Sequence, residues 1–345
     1  MKFHEPKATK AAMLKGLRRV AAAPLGSIRD TAAEIFAPDA AYIAAHPFNQ
    51  MHGLAELTET YFAPLKRAFP DLERRDDIFI GGHYKDYDWV STTGYYYGVM
   101  RDEWLGLRPT GAWVYLRFGE FYKLHEGRII DAYCLLDLVD VFRQIGANPL
   151  RPALGIEGLC PGPAAQDGLQ IKANDPVESR KSLDLVENMI FQGMHGFDGK
   201  DHGTMHFERY FCADMMWFGP GGTGTMRGIE GFMKFHEIPF NETWPDFKGG
   251  DHKARFGDGP FVSSTGWPSI RGTHTGGDWL GLKPTGRPFT MRVMDWWRRE
   301  GEWLTENWVF IDVPDVFRQF DRDLVAEARA HQAACLKQKG RSSRP

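Results

Sequence analysis

The chain repeats itself at a fixed interval, and no other feature constrains its fold as strongly. FAPDAAYI from Phe36 returns as FCADMMWF from Phe211, 175 positions later. At the same interval MHGL from Met51 returns as MRGI, FPDL from Phe69 as WPDF, and WLGLRPTG from Trp104 as WLGLKPTG from Trp279. DLVDVFRQ from Asp137 closes the first unit, and DVPDVFRQ from Asp312 closes the second. The 345 residues therefore hold two copies of one domain, over 27–146 and 181–322, each long enough for its own core. Residues 1–26 form a helical leader. Residues 147–180, where Pro149, Pro152, Pro161, Pro163 and Pro176 alternate with glycines, read as a linker running into the first helix of the second copy. Residues 323–345 read as a helix end and a frayed basic tail.

Within each unit helices precede strands. Leu183, Val186, Met189 and Ile190 lie on one stripe of a helix predicted over 176–194, and the first copy has a matching run over 9–23. A short strand follows (40–45 and 215–218), then a helix from Gly53 to about Phe69 and from Gly228 to about Trp244. Four extended segments come next, the last two joined by tight turns at Gly127 and Gly301. This order predicts an α+β fold: a curved, mostly antiparallel sheet with helices on one side.

Composition excludes several function classes. With 42 basic against 45 acidic residues the body has no field for phosphate backbones, so nucleic acid is excluded as a partner. No run of eighteen apolar residues occurs, which argues against a membrane span, and four cysteines without a CxxC pair fit a reducing cytoplasm. Gly219 to Gly224 satisfies G-x-G-x-x-G, but the first copy lacks it and no βαβ unit follows, so no dinucleotide is expected. His202 and His206 lack an HExxH context and a third ligand, so no metal site is expected. Aromatic residues make up 13 %, which suits either apolar ligand pockets or aromatic sheet cores.

Alternation along the last strand puts Glu306, Trp308, Phe310 and Asp312 on one face and Asn307, Val309 and Ile311 on the other. On the strand before it, Met291, Val293, Asp295 and Trp297 share a face, as do Leu116, Phe118, Glu120 and Tyr122 in the first copy. An acid within such an apolar stripe is either partnered or has a raised pKa suited to proton transfer. Arg117 and Arg292, three positions earlier, are the available partners for Glu120 and Asp295.

The string PTG, an acid in the next strand, an EG turn, E-x-W-x-x-x-D and a closing V-F-R-Q resembles the SnoaL-like polyketide cyclase family of the nuclear-transport-factor-2-like superfamily. Glu306, Trp308 and Asp312 carry that segment in the second copy, and Asp131, Tyr133 and Asp137 stand there in the first. The resemblance implies two tandem cone-like α+β barrels, each enclosing a cavity, packed as an intramolecular pseudo-dimer that can also form a homodimer. It implies a cofactor-independent lyase or isomerase that closes an aldol ring on an apolar, carbonyl-containing small molecule, with Asp137 and Asp312 as acid/base. The same fold also serves non-catalytic small-molecule binding and scaffold proteins. Asp137 and Asp312 equally suit helix N-caps, since each precedes the closing helix. His46, Tyr95, Glu120, Tyr133, Trp217, Trp267, Asp295 and Trp308 are the candidate substrate-binding residues, with His46 and His52 near the mouth of the first pocket. The rims differ between copies, so two pockets of unlike shape are expected.

Overall fold

The computed structural model describes residues 7–342. The first residues of the leader and the last three of the tail lie outside that range. The leader helix Lys7–Ala22 buries Met13, Leu14, Leu17, Val20 and Ala21, a stripe at helical spacing that anchors it on the first sheet. That sheet holds β1 (Phe36–Ala44), β2 (Gln50–His52), β3 (Glu73–Tyr84), β4 (Tyr87–Val99), β5 (Trp113–His125) and β6 (Arg128–Leu136), in the order β2-β1-β6-β5-β4-β3. The second contains β7 (Phe211–Phe218), β8 (Thr225–Arg227), β9 (Lys248–Gly249), β10 (His252–Asp258), β11 (Phe261–Thr273), β12 (Pro288–Glu300) and β13 (Trp303–Ile311). Its order, β10-β11-β12-β13-β7-β8 with β9 on β11, repeats the first. Among the strand pairs of the described residues only β1–β6 and β7–β13 are parallel, so each domain is a mostly antiparallel α+β sheet wrapped around helices.

The covering helix of each copy is interrupted at one place. Gly53–Leu57 continues through a π turn, Thr58–Phe62, into Ala63–Ala68, and Gly228–Phe232 continues through Met233–Glu237 into Ile238–Thr243. Pro64 and Pro239 sit just past each π turn, where a missing N–H and a bulky ring break the regular ladder. In the second copy the π turn carries His236 and Glu237.

Each sheet is buried on both faces, which gives the molecule three apolar cores. The inner face of each sheet packs on its own helices. The outer faces pack on each other through Ile78, Phe121, Tyr133, Phe256, Trp296 and Phe310 among others. Ser91 Oγ donates to Ser263 Oγ across this interface at 2.8 Å, and Trp296 Nε1 donates to Ser91 at 3.2 Å.

Residues 147–175 have little regular structure, in keeping with their proline and glycine content, yet they are fastened along the interface. Tyr95 donates to the Cys160 carbonyl (2.6 Å), Trp308 Nε1 to the Pro161 carbonyl (2.8 Å), and Arg298 pairs with Asp167 (2.9 Å). The ends of the chain cross over as well. Lys10 pairs with Asp258 of the second copy at 2.8 Å, while Gln332 accepts from Arg108 N and donates to Arg108 O in the first. The tail read as frayed is a helix, Leu324–Ser342, because these contacts and buried Leu324, Val325 and Ala328 hold its start.

Candidate active site

The two domain interiors differ sharply, and the difference traces to a few side chains. In the first, Arg74 fills the centre: its guanidinium pairs with Glu120 (2.7 Å) and Asp76 (2.8 Å), and donates to the Tyr96 hydroxyl (2.9 Å). Tyr96 in turn donates to Glu120 at 3.0 Å, and Thr92 to Asp76 at 3.1 Å. Phe118 stacks on the guanidinium at 4.3 Å. What remains is a void of about 20 Å3, room for one water.

Strand register identifies what replaces these groups in the second copy. Arg74 lies opposite Tyr96, which lies opposite Leu116; the corresponding chain of partners runs Gly249, Ile270, Met291. The guanidinium has become a glycine and its phenol an isoleucine. A bulge between Gly266 and Ile270 shifts β11, so that His252 stands where Asp76 does, and the Ser264 Oγ to His252 Nε2 contact (3.4 Å) mirrors Thr92 and Asp76. The space so released is a cavity of about 380 Å3.

Its wall is mostly apolar, with Trp217, Phe232, Met291, Val293 and Trp297 prominent, and Tyr84 from the β3–β4 hairpin of the first copy completes the rim. Asp295 projects from β12 into this space, at the position of Glu120 but without a guanidinium in contact. Its side chain is partly exposed and lines the cavity wall. Burial within the domain pushes its pKa up to about 7, with the neighbouring Asn307 amide and the charge of Arg255 opposing. Glu237, on the π turn, is likewise pushed up to about 7 by burial, and Asn241 Nδ2 donates to it at 3.1 Å. His236 stacks on Trp217 at 4.1 Å, and burial drives its pKa down to about 3, so the ring is a neutral donor or acceptor. Two carboxyls balanced between protonation states and a neutral imidazole therefore share one apolar chamber.

Of the residues singled out from sequence, only Trp217 and Asp295 line this cavity. Glu120 is the partner of Arg74 in the closed first interior. His46, Tyr95, Tyr133, Trp267 and Trp308 belong to the contact zone between the sheets: Tyr133 stacks on Trp89 and packs on Trp267 (5.5 Å), and Trp308 stacks on Phe218.

Asp137 and Asp312 also lie on that outer side, away from both interiors. Asp137 caps Leu138–Gln144 through Asp140 N (3.2 Å), and Asp312 caps Val313–Gln319 through Asp315 N (3.2 Å). Each then reaches into the other copy. Asp137 accepts from Gly221 N at 2.9 Å, and Asp312 accepts from His46 N at 3.0 Å. Arg117 stands 3.8 Å from Asp137, and Arg292 pairs with Asp312 at 3.0 Å. These arginines were the expected partners of Glu120 and Asp295, but three residues along a strand reverses the face. Burial pushes both aspartates up to about 6. The Gly219–Gly224 loop serves this junction: a Cβ on Gly221 would stand 2.5 Å from Asp140 N, so only glycine lets its N–H reach Asp137.

His236, Glu237 and Arg255 were not singled out from sequence, and Asn307 was assigned to its strand face but not named as a site residue. The signal for them was present, since Tyr61, Phe62, Ala132 and Phe79 are their apolar or aromatic counterparts in the first copy. Among the described residues, no group of three His, Cys, Asp or Glu side chains is arranged to hold a metal ion, and no helix is long and apolar enough to cross a membrane.

The SnoaL-like polyketide cyclase family model matches residues 19–145 and 200–320, once per copy. Three solved structures are similar to a single copy. A SnoaL-like protein from Jannaschia sp. CCS1, assigned as a polyketide cyclase, is 20 % identical over 40 % of this chain and 94 % of its own (TM-score 0.34). IdmH from Streptomyces antibioticus is 22 % identical over 39 % and 98 % (TM-score 0.31). An NTF2-like protein from Burkholderia xenovorans LB400 is 18 % identical over 41 % and 96 % (TM-score 0.31). No curated protein matches the chain. With both repeats matched and both sheets sharing one strand order, the chain belongs to the SnoaL-like polyketide cyclase family as a tandem duplication.

Proposed function

We propose that the second copy is a cofactor-independent lyase or isomerase that moves a proton on an apolar carbonyl compound, with Asp295 as the acid/base. The observation that carries this reading is the Asp295 carboxyl, facing an aromatic cavity without an ion-pair partner among the described residues and balanced near pH 7. A base of that pKa can take a proton at neutral pH and still return it. In the proposed sequence the ionised carboxylate removes a proton from the carbon next to a carbonyl, and the C–H electrons become the enolate. His236, neutral in its apolar setting, donates to the developing oxygen. The enolate carbon then attacks a second carbonyl of the same molecule, and the alkoxide so formed takes the proton back from Asp295. No atom is gained or lost, so the product is an isomer of the substrate.

Proton abstraction can be read without knowing the natural substrate, as deuterium exchange from solvent into the α-position of aromatic ketones, followed by NMR. Asp295→Asn should slow exchange by about 100-fold or more, while Asp137→Asn and Asp312→Asn should leave it close to wild type. Exchange that survives in Asp295→Asn removes this residue from the role. Tight binding with no exchange across a broad panel supports a ligand-binding protein of the same fold.

A further inference from the structure

The same cavity holds a cation that neither the fold nor the proton transfer requires. Arg255 on β10 lines it, with 11 % of its side chain exposed. Register places Arg255 opposite Ser264, and the first-copy counterpart of that pair is Phe79 opposite Thr92. Phe79 is fully buried in the first core. A guanidinium thus stands where the sister domain keeps a phenylalanine, which is not a substitution that packing favours.

Its protein partners leave it underused. Glu187 is 3.9 Å away, at the limit of an ion pair, and its carboxylate also lies 3.6 Å from Arg180. Phe191, more than half exposed at the mouth, packs on the guanidinium at 5.2 Å. Among the described residues the buried Nε of Arg255 has no hydrogen-bond partner, and neither has the Nε1 of Trp297, another residue of the cavity wall. The neighbouring His252 is held neutral by burial and adds no competing charge. Two unpaired donors on an apolar wall call for an acceptor that the ligand brings.

The row Arg255, Ser264, Asp295 crosses three adjacent strands on one face, so Arg255 and Asp295 stand two strand spacings apart, about 10 Å between Cα positions. We infer that Arg255 is a specificity-determining residue: the substrate carries a carboxylate that docks on Arg255 while its reacting carbon lies at Asp295. This deepens the function proposed above and rests on it for the position of the reacting carbon. An arginine suits the task because its planar fork matches a carboxylate and holds its charge at any physiological pH.

The test uses the full chain and two probes of equal shape, naphthalene-2-acetate and naphthalene-2-acetamide, titrated calorimetrically at pH 6.5. Wild type should bind the acid about tenfold or more tightly than the amide. Arg255→Met should bring the two affinities within about twofold of each other while leaving the amide unchanged, and Arg255→Lys should retain part of the preference. Asp295→Asn should keep the preference, since it removes no positive charge. Equal binding of acid and amide by wild type, or a preference that persists in Arg255→Met, overturns the inference even where deuterium exchange still depends on Asp295. Conversely, a clear acid preference without any exchange supports the docking site and sinks only the catalytic reading.

Discussion

An acid that is harder to ionise in the folded protein than in the unfolded chain makes stability fall as pH rises. Asp295 has an ordinary pKa of 3.8 unfolded and about 7 folded. Between those values the folded state holds a proton that the unfolded chain has lost, so stability starts to fall as pH rises past about 4 and the loss is complete above pH 7. Three pH units at ~1.36 kcal/mol each give about 4 kcal/mol, and water entering the cavity lowers this to about 2–4 kcal/mol. Asparagine is nearly isosteric with the neutral acid and cannot ionise. Asp295→Asn should therefore gain on wild type by about 2 kcal/mol or more between pH 5 and pH 8, part of the cost being present already at pH 5. Urea unfolding at several pH values, followed by tryptophan fluorescence, measures both. A wild-type profile that runs parallel to the variant's from pH 5 to 8, or a variant less stable at pH 8, would refute the claim that this carboxyl is held unpaired. The variant expected to lose proton transfer is thus expected to gain stability, a combination that simple misfolding cannot produce.

Other outcomes follow from the contrast between the copies. Gly249→Arg restores to the second interior the residue that fills the first; no atom lies within 4 Å of the added Cβ, so the chain should fold and lose naphthalene binding in calorimetry. Glu120→Gln removes one partner of a fully enclosed guanidinium and should cost about 3 kcal/mol or more in denaturant unfolding, with deuterium exchange unaffected. Asp137→Asn and Asp312→Asn weaken both a helix cap and a contact between the copies, and each should cost about 1–3 kcal/mol in thermal or urea unfolding without changing the exchange rate. Gly221→Ala should resemble Asp137→Asn in stability, because its methyl group displaces the same N–H.

Much of the architecture could be read from the chain alone. The 175-residue interval, the prolines after each helix interruption and the glycine turns mark the same elements twice, and tandem α+β barrels follow. The alternation along the last strand was also read correctly, as was its companion on β12. What alternation cannot say is which face is the inside. In a sheet buried on both sides, Trp308 and Phe310 look as internal as Val309 and Ile311, and the carboxylate at the strand end drew attention to the outer face. The strand register, which pairs Val293 with Ile311, Asp295 with Val309 and Trp297 with Asn307, is what ties the two inner faces together. The cavity itself depends on the loss of Arg74, whose contact with Glu120 spans 46 positions and leaves no local mark. A bulge in β11 further hides that His252, not Asp251, replaces Asp76. Comparing the copies residue by residue was the available route: a glycine, a histidine, a glutamate and an arginine stand where the sister domain keeps groups that fill space.

The reciprocal clasp between the domains, with each closing aspartate gripping the other's loop, would be satisfied equally well by two identical chains. In such a symmetric pair every substitution appears in both halves at once, so an arginine that plugs one chamber plugs both. Joining the halves in one polypeptide removes that constraint. One half is then free to become a solid block, stiffened by a saturated ionic centre, while the other is hollowed out around an unpaired acid and relies on its neighbour for rigidity and for the tyrosine at its rim. Covalent fusion lets a molecule with two equivalent beginnings concentrate robustness in one half and an open chamber in the other.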